Sequence, residues 1–337
     1  MSGPGRASCG PARPPWGLGG SHVQTIIASS ALPVAGDERR RSAALSAAST
    51  ECILGLAGGV RLMGYHCPGT DAARGLVVLL HGWEGGAQSR YIVRVAATLR
   101  EAGYATFRLN LRDHGGTHAL NEELFHSCRI GEVVDAVAAI QARWDPQRLA
   151  LVGYSLGGNF ALRVGARASA AAVRIARIVA VCPVLHPPRT MHALETGFWA
   201  YRWYYLARWR RSLLAKQAVF PQRYKLGDLR RFRTLTATTE FFVREYTEFE
   251  SLDGYLNGYS ILGSALADLR APARVIATID DPIIPSADLE ALAANGCIGL
   301  TAMPWGGHCG FVMDYKLRSC IDAMIVEELE ETAGALP

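Results

Sequence analysis

A serine, an aspartate and a histidine stand in this chain in the order and surroundings that nucleophilic acyl chemistry requires. Ser155 lies in Gly153-Tyr154-Ser155-Leu156-Gly157-Gly158, after the apolar run Leu149-Ala150-Leu151-Val152 and before a segment of helical character, Asn159 to Ala168. Strand, tight turn and helix around a serine describe a nucleophile elbow, whose sharp backbone turn admits only small neighbours. A serine hydroxyl is a poor nucleophile near neutral pH and needs a base for its proton and donors for the oxyanion. With 35 glycines in the chain, Gly-x-Ser-x-Gly alone says little. The other partners decide the reading.

The base should be a histidine oriented by a carboxylate, and with a nucleophile elbow the chain order is serine, acid, histidine. A strand over Arg274–Ile279 runs into Asp280-Asp281-Pro282-Ile283-Ile284-Pro285. Asp281 is the expected acid, because the Pro-Ile-Ile-Pro stretch fixes a turn directly behind it. Asp280 is then a helper or a loop hydrogen-bonder. The bland alternative is that either carboxylate only caps a helix beginning near Ala287. Of nine histidines, only His308 lies beyond Asp281, in the loop Trp305-Gly306-Gly307-His308-Cys309-Gly310. The backbone N–H of Leu156 and that of Trp83, in His81-Gly82-Trp83-Glu84-Gly85-Gly86, are the expected oxyanion donors.

Two other groupings compete for chemistry. Asp113-His114-Gly115-Gly116-Thr117-His118, with His126 beyond, suggests a metal site, but the glycines argue against a helix that would bring the histidines to one face. It reads as a loop beside the site. Cys309 adjoins His308 but occupies no elbow. No metal and no cofactor is expected.

Strand and helix patterns alternate around these residues. A hairpin is expected over Cys52–Leu56 and Val60–His66, followed by strand Leu76–Leu80, helix Arg90–Ala102, strand Ala105–Asn110 and helix Glu132–Trp144. Strands Arg148–Val152, Ile178–Cys182, Arg274–Ile279 and Gly299–Ala302 follow, with helices Asn159–Ala168, Ala287–Ala294 and Tyr315–Glu330. The alternation predicts an α/β fold, a mainly parallel sheet with helices on both faces. Residues 51–185 and 270–337 form this core, 186–269 a helical cap insertion, and 1–50 an N-terminal extension in which Ala35–Thr50 reads as a polar connector.

The insertion is aromatic and basic. Between Glu195 and Arg233 ten Arg or Lys face two acids, a net +8 within a chain of net +5. The remainder is therefore negative, which removes the argument for nucleic-acid binding by the whole protein. The aromatics are expected to form the cap's own core, with the further possibility that its inner wall makes an apolar pocket. A basic–aromatic membrane face has no support in the pattern. No apolar run is long enough to span a bilayer. Eight cysteines without a Cys-x-x-Cys pair read as reduced thiols, and the expected compartment is the cytoplasm.

In combination these segments resemble the α/β-hydrolase superfamily and, within it, the YheT-like family that includes the mammalian ABHD hydrolases. The motifs are Gly20-Ser21-His22-Val23-Gln24-Thr25, His81-Gly82 through Ser89-Arg90-Tyr91, Phe125-His126-Ser127, Tyr246-Thr247 through Ser251, Asp280-Asp281-Pro282, and Gly306-Gly307-His308-Cys309-Gly310-Phe311. The resemblance implies an α/β-hydrolase fold and a serine hydrolase of carboxylic esters, some relatives acting on lipids, with the triad on Ser155, Asp281 and His308. Trp83 replaces the family's usual aliphatic residue, and the Arg112–Asn121 loop departs from its pattern. The partner is then a small acyl ester. An acyltransferase using the same acyl-enzyme is the rival of like chemistry, and a non-catalytic binding protein of the same fold is the rival of another class.

Overall fold

The run Leu76-Val77-Val78-Leu79-Leu80 is apolar at every position because it is covered on both sides, each residue being 2% exposed or less. In the computed structural model, which describes residues 14–30, 36–292 and 296–331, this run is a central strand of an eight-stranded sheet.

The helices α1 (Ser21–Ser29) and α2 (Gly36–Ala48) precede the hairpin β1 (Thr50–Gly55) and β2 (Arg61–Cys67). Then come β3 (Leu76–Leu80), α3 (Arg90–Glu101), β4 (Ala105–Leu109), α4 (Ile130–Trp144), β5 (Leu149–Tyr154), α5 (Leu156–Arg167) and β6 (Ile175–Val181). Four helices intervene: α6 (Pro187–Thr196), α7 (Trp199–Val219), α8 (Leu235–Tyr246) and α9 (Leu252–Asn257). The chain closes with β7 (Ala273–Thr278), α10 (Asp288–Leu292), β8 (Ile298–Met303) and α11 (Ile321–Glu331). The strand order is β1-β2-β4-β3-β5-β6-β7-β8. β2 runs antiparallel to both β1 and β4, and the other neighbours are parallel.

Side chains alternate across each strand, so the sheet feeds two cores. Leu76, Val78 and Leu80 pack with Val137 and Ile140 of α4 and Phe160 and Val164 of α5. Val77 and Leu79 pack with Leu45 of α2, Val95 and Leu99 of α3 and Ile321 and Ile325 of α11. A mainly parallel sheet with helices on both faces is therefore present, as the alternation predicts.

Three local expectations are corrected. The Ala35–Thr50 connector contains α2, which buries little beyond Leu45 and shows no apolar stripe. Its intrinsic helix formers and the ion pairs Arg90–Glu38 and Arg41–Glu101, at 2.9 and 2.6 Å, hold it on α3. The last helix starts at Ile321 rather than Tyr315, because Val312 bridges Ser319 and the intervening residues turn. The helix after the elbow begins at Leu156 rather than Asn159, taking both glycines into its first turn. Residues 293–294 of the expected Ala287–Ala294 helix lie outside the described residues.

Between β6 and β7 the chain is docked by a buried cation. Lys216 of α7 is fully buried, and its Nζ donates to Asp113 Oδ1 at 2.7 Å, the Asn121 carbonyl at 2.6 Å and the His118 carbonyl at 3.2 Å. One of the charges that makes this segment basic is thus an internal tie rather than a solvated group.

Candidate active site

Ser155 begins α5 immediately after β5, with φ 54° and ψ −118°, a conformation that costs a non-glycine residue free energy. Its N–H donates to the Val181 carbonyl at 2.8 Å, and its carbonyl accepts from Asn159 N–H at 3.1 Å. Both flanking glycines are demanded by contact. A Cβ on Gly153 would lie 2.2 Å from the Gly157 oxygen, and one on Gly157 would lie 2.2 Å from the Leu80 oxygen. Gly153 is therefore the condition for the sharp turn from β5 into α5, and Gly157 the condition for α5 to start against the end of β3.

His308, in the turn after β8, places Nε2 2.9 Å from Ser155 Oγ and Nδ1 2.8 Å from Asp281 Oδ2. The other Asp281 oxygen accepts the N–H groups of Ile283 and Ile284 at 2.8 and 2.9 Å, so the following turn orients the carboxylate. Asp280 does something different: its Oδ1 accepts the Gly307 N–H at 2.9 Å and holds the histidine loop.

Two residues outside the expected set complete the support of that loop. Thr25 Oγ1 accepts the His308 N–H and donates to the Ser21 carbonyl, both at 2.8 Å. Gln24 donates from Nε2 to the Leu18 and Val312 carbonyls at 2.6 and 3.0 Å, and its Oε1 accepts the Val312 N–H at 2.7 Å. The approach is so close that a Cβ on Gly307 would lie 2.3 Å from the Ser21 oxygen. The signal was the motif Gly20-Ser21-His22-Val23-Gln24-Thr25, which carries no periodicity to assign it a partner.

The loop after β3 is held by its own polar groups. His81 Nε2 accepts the Leu111 N–H at 3.1 Å, so Nδ1 carries the proton and donates to the Gly82 carbonyl at 2.8 Å. Burial lowers the His81 pKa to about 4, partly offset by that carbonyl, and the ring is neutral. Tyr91 Oη accepts the Gly82 N–H at 2.9 Å. The N–H groups of Trp83 and Leu156 find no acceptor among the described residues. A strand, an elbow and a following turn thus bring a hydroxyl, an imidazole, a carboxylate and unpaired backbone donors to one place.

Residues 75–312 match the family model for the alpha/beta hydrolase fold. The chain belongs to the alpha/beta hydrolase family. An esterase of Pyrococcus furiosus is 15% identical, with 84% of this chain and 91% of that one covered and a TM-score of 0.53. A membrane phospholipase A, described as a bacterial virulence factor, is 17% identical over 89% of this chain and 90% of its own, with a TM-score of 0.57. Alpha/beta hydrolase domain-containing protein 10 from mouse is 13% identical over 84% and 99%, with a TM-score of 0.53. At these identities the likeness is one of fold. No curated protein matches the sequence.

Two cavities of this alpha/beta hydrolase meet at Ser155. One, of ≈ 80 Å³, is walled by Leu156, Met191, Leu194, Trp209, Phe242 and Ile283 among others. The other, of ≈ 870 Å³, is lined by Glu84, Asp113, His114, Arg208, Arg211 and His308 among others. Trp83 and Tyr205 border both and stack at 5.3 Å with an interplanar angle of 11°, forming a partition. Arg208 Nη2 donates to the Glu84 carbonyl and ties α7 to the loop that carries Trp83. Side chains of α7 divide between the two cavities: Arg208 and Arg211, together with Tyr204, line the large one, Trp209 lines the small one, and Tyr205 borders both.

Electrostatics distinguish the buried groups. Burial disfavours charge on His308, but the Asp281 carboxylate and Cys309 override it and raise its pKa well above the ordinary histidine value. Burial pushes the Cys309 thiol up, yet the Cys182 hydrogen bond and the His308 charge bring it down to about 6. Glu84 is raised by burial, against the nearby Arg208, to about 7.

His114, His118 and His126 do not converge. His114 Nδ1 meets the Arg112 carbonyl at 2.7 Å, His118 Nε2 meets Ser212 Oγ at 2.9 Å, and His126 packs against Phe249 and Tyr255. Among the described residues no helix is long and apolar enough to cross a membrane.

Proposed function

We propose that this alpha/beta hydrolase is a serine esterase of the YheT-like kind, cleaving carboxylic esters through Ser155, Asp281 and His308. The carrying observation is the unbroken chain from Ser155 Oγ through His308 to Asp281, with contacts of 2.9 and 2.8 Å. In this reading His308 Nε2 takes the hydroxyl proton as Oγ bonds to the acyl carbon. Asp281 orients the ring and stabilises the imidazolium. The N–H groups of Trp83 and Leu156 receive the negative charge that develops on the carbonyl oxygen. Collapse breaks the ester C–O bond and His308 returns the proton to the leaving alcohol. Water, deprotonated by the same ring, then releases the acid and restores Ser155.

Residues 186–269 act as a cap on a core of 51–185 and 270–337, with 1–50 as an extension. The acyl chain enters the small cavity and the alcohol occupies the large one. At ≈ 80 Å³ the acyl side holds a short chain, since the volume is about three waters' share of liquid at ~30 Å³ each. Small acyl esters are therefore favoured over long lipid chains. An esterase and a phospholipase among solved structures of this fold agree with ester chemistry. The free thiols of Cys52, Cys67, Cys128, Cys182 and Cys309 accord with a cytoplasmic location.

Labelling with a fluorophosphonate probe tests the mechanism. Wild type should label, and Ser155→Ala should lose both labelling and p-nitrophenyl acetate hydrolysis, the latter by roughly 10⁴–10⁶-fold. Equal labelling of both proteins, or none of folded wild type, would refute it.

A further inference from the structure

We propose that Cys182, Cys309 and His308 form an inhibitory binding site for zinc or a similarly soft divalent cation, entered from the large cavity. The inference rests on His308 being the base of the reaction above.

The three side chains are buried, and one ligand atom from each lies within 4.8 Å of the others. A tetrahedral zinc with bonds of about 2.3 Å to sulfur and 2.0 Å to nitrogen separates its ligand atoms by roughly 3.5–3.8 Å. Closing the difference takes side-chain rotation of an ångström or so, not a rearranged backbone. Two thiols and an imidazole suit zinc or cadmium and disfavour magnesium or calcium, which take oxygen ligands.

The placement of the sulfurs is unusual for structural cysteines. Cys182 directly follows β6 at φ 43° and Cys309 follows His308 at φ 64°, both in the left-handed region that side chains rarely occupy. Neither sulfur bonds a reacting atom in the ester chemistry proposed above. Cys309 and His308 line the ≈ 870 Å³ cavity, so a cation arriving there meets two of its ligands at the wall. Cys182 lies behind them, beside Asp281, Ala277 and Ile284.

Inhibition follows whichever ring nitrogen the metal takes. Nδ1 is the atom bonded to Asp281 and Nε2 the atom bonded to Ser155, so coordination withdraws one or the other from proton transfer. Each thiol that binds releases its proton to solvent, and no electron is transferred.

The test uses the full chain, freed of metal by a chelator, then titrated separately with Co²⁺ and Zn²⁺. Wild type should develop thiolate-to-cobalt charge-transfer absorption saturating at one ion per chain. Zn²⁺ should suppress esterase activity and fluorophosphonate labelling, and chelator should restore both. In Cys182→Ala and Cys309→Ala, each compared with itself in chelator, the cobalt band should fade. The zinc concentration for half-inhibition should rise by at least the roughly 10–100-fold that loss of an outer-shell partner costs a metal site. Absence of the band in folded wild type, or equal zinc sensitivity in wild type and both variants, would overturn the proposal. If wild type in chelator cleaves no ester, the esterase reading fails by itself, and the cobalt titration still decides the site.

Discussion

The two cavities that meet at Ser155 are built by opposite rules. The small one is closed by α6, α7, α8 and α9 with aromatic and aliphatic side chains, and its ≈ 80 Å³ leaves no slack. The large one, ≈ 870 Å³, is bounded by the end of α1, by the loops after β3 and β4, and by the polar side of α7. Close packing makes a wall that discriminates by size, whereas a roomy wall carrying a few charged side chains discriminates weakly and by charge. If the proposed ester chemistry holds, selectivity should therefore reside in the acyl group and tolerance in the alcohol. The single helix α7 faces both, so its seating decides whether the difference survives.

The largest expected effect comes from unseating it. Lys216→Met leaves Asp113 buried without its cation, and removal of one partner of such a pair costs about 3–5 kcal/mol. Thermal unfolding should show the loss, and the Lys216→Met/Asp113→Asn double variant should recover part of it. If Lys216→Met melts like wild type, α7 is not anchored by this contact and both cavities must be redrawn.

A smaller change should erase the acyl side alone. Wild type should lose about tenfold or more per methylene once a p-nitrophenyl ester outgrows the small cavity. Phe242→Ala should move the optimum to longer chains without altering the response to different alcohols. A flat chain-length profile in wild type would remove the basis of the comparison.

Thr25→Val sharpens it from the other direction. The variant leaves the His308 N–H without its acceptor, at a cost of about 1–3 kcal/mol. Because the brace acts on the proposed base, kcat should fall for every ester by a similar factor while acyl preference is kept. A change in preference would mean that α1 shapes the cavities rather than the histidine.

The mildest effect is on pH dependence. In the proposed mechanism only neutral His308 accepts the serine proton, and its pKa is raised well above the ordinary value by Asp281 and Cys309 against the effect of burial. The kcat/KM of wild type should therefore climb through an ionisation above pH 6.5. Cys309→Ala removes one of the raising charges and should shift that limb to lower pH. An unmoved limb would show that the thiol does not bear on the base.

Much of the site was legible in the chain because its constraints are local. Gly153 answers a contact with Gly157 a few residues away, and the turn behind Asp281 is written in Pro282 and Pro285, although Gly157 answers the distant Leu80 carbonyl. The supports of His308 were not legible in the same way. Thr25 is 283 residues from its partner and Gln24 is 288 from Val312, so no spacing rule connects them. The α2 helix escaped notice because so little of it is buried, and Lys216 because a lysine in a basic run looks like every other.

By itself the sequence determined the alternation of strands and helices, the elbow, and the order of serine, aspartate and histidine, since these depend on neighbours along the chain. Only the tertiary structure decided that Asp281 faces the ring while Asp280 holds the backbone, and that Lys216 is buried. It alone divided the space over Ser155 into a tight apolar side and a wide side that carries charged groups. Those outcomes depend on which distant side chains reach the same few ångströms, and packing, not periodicity, sets that.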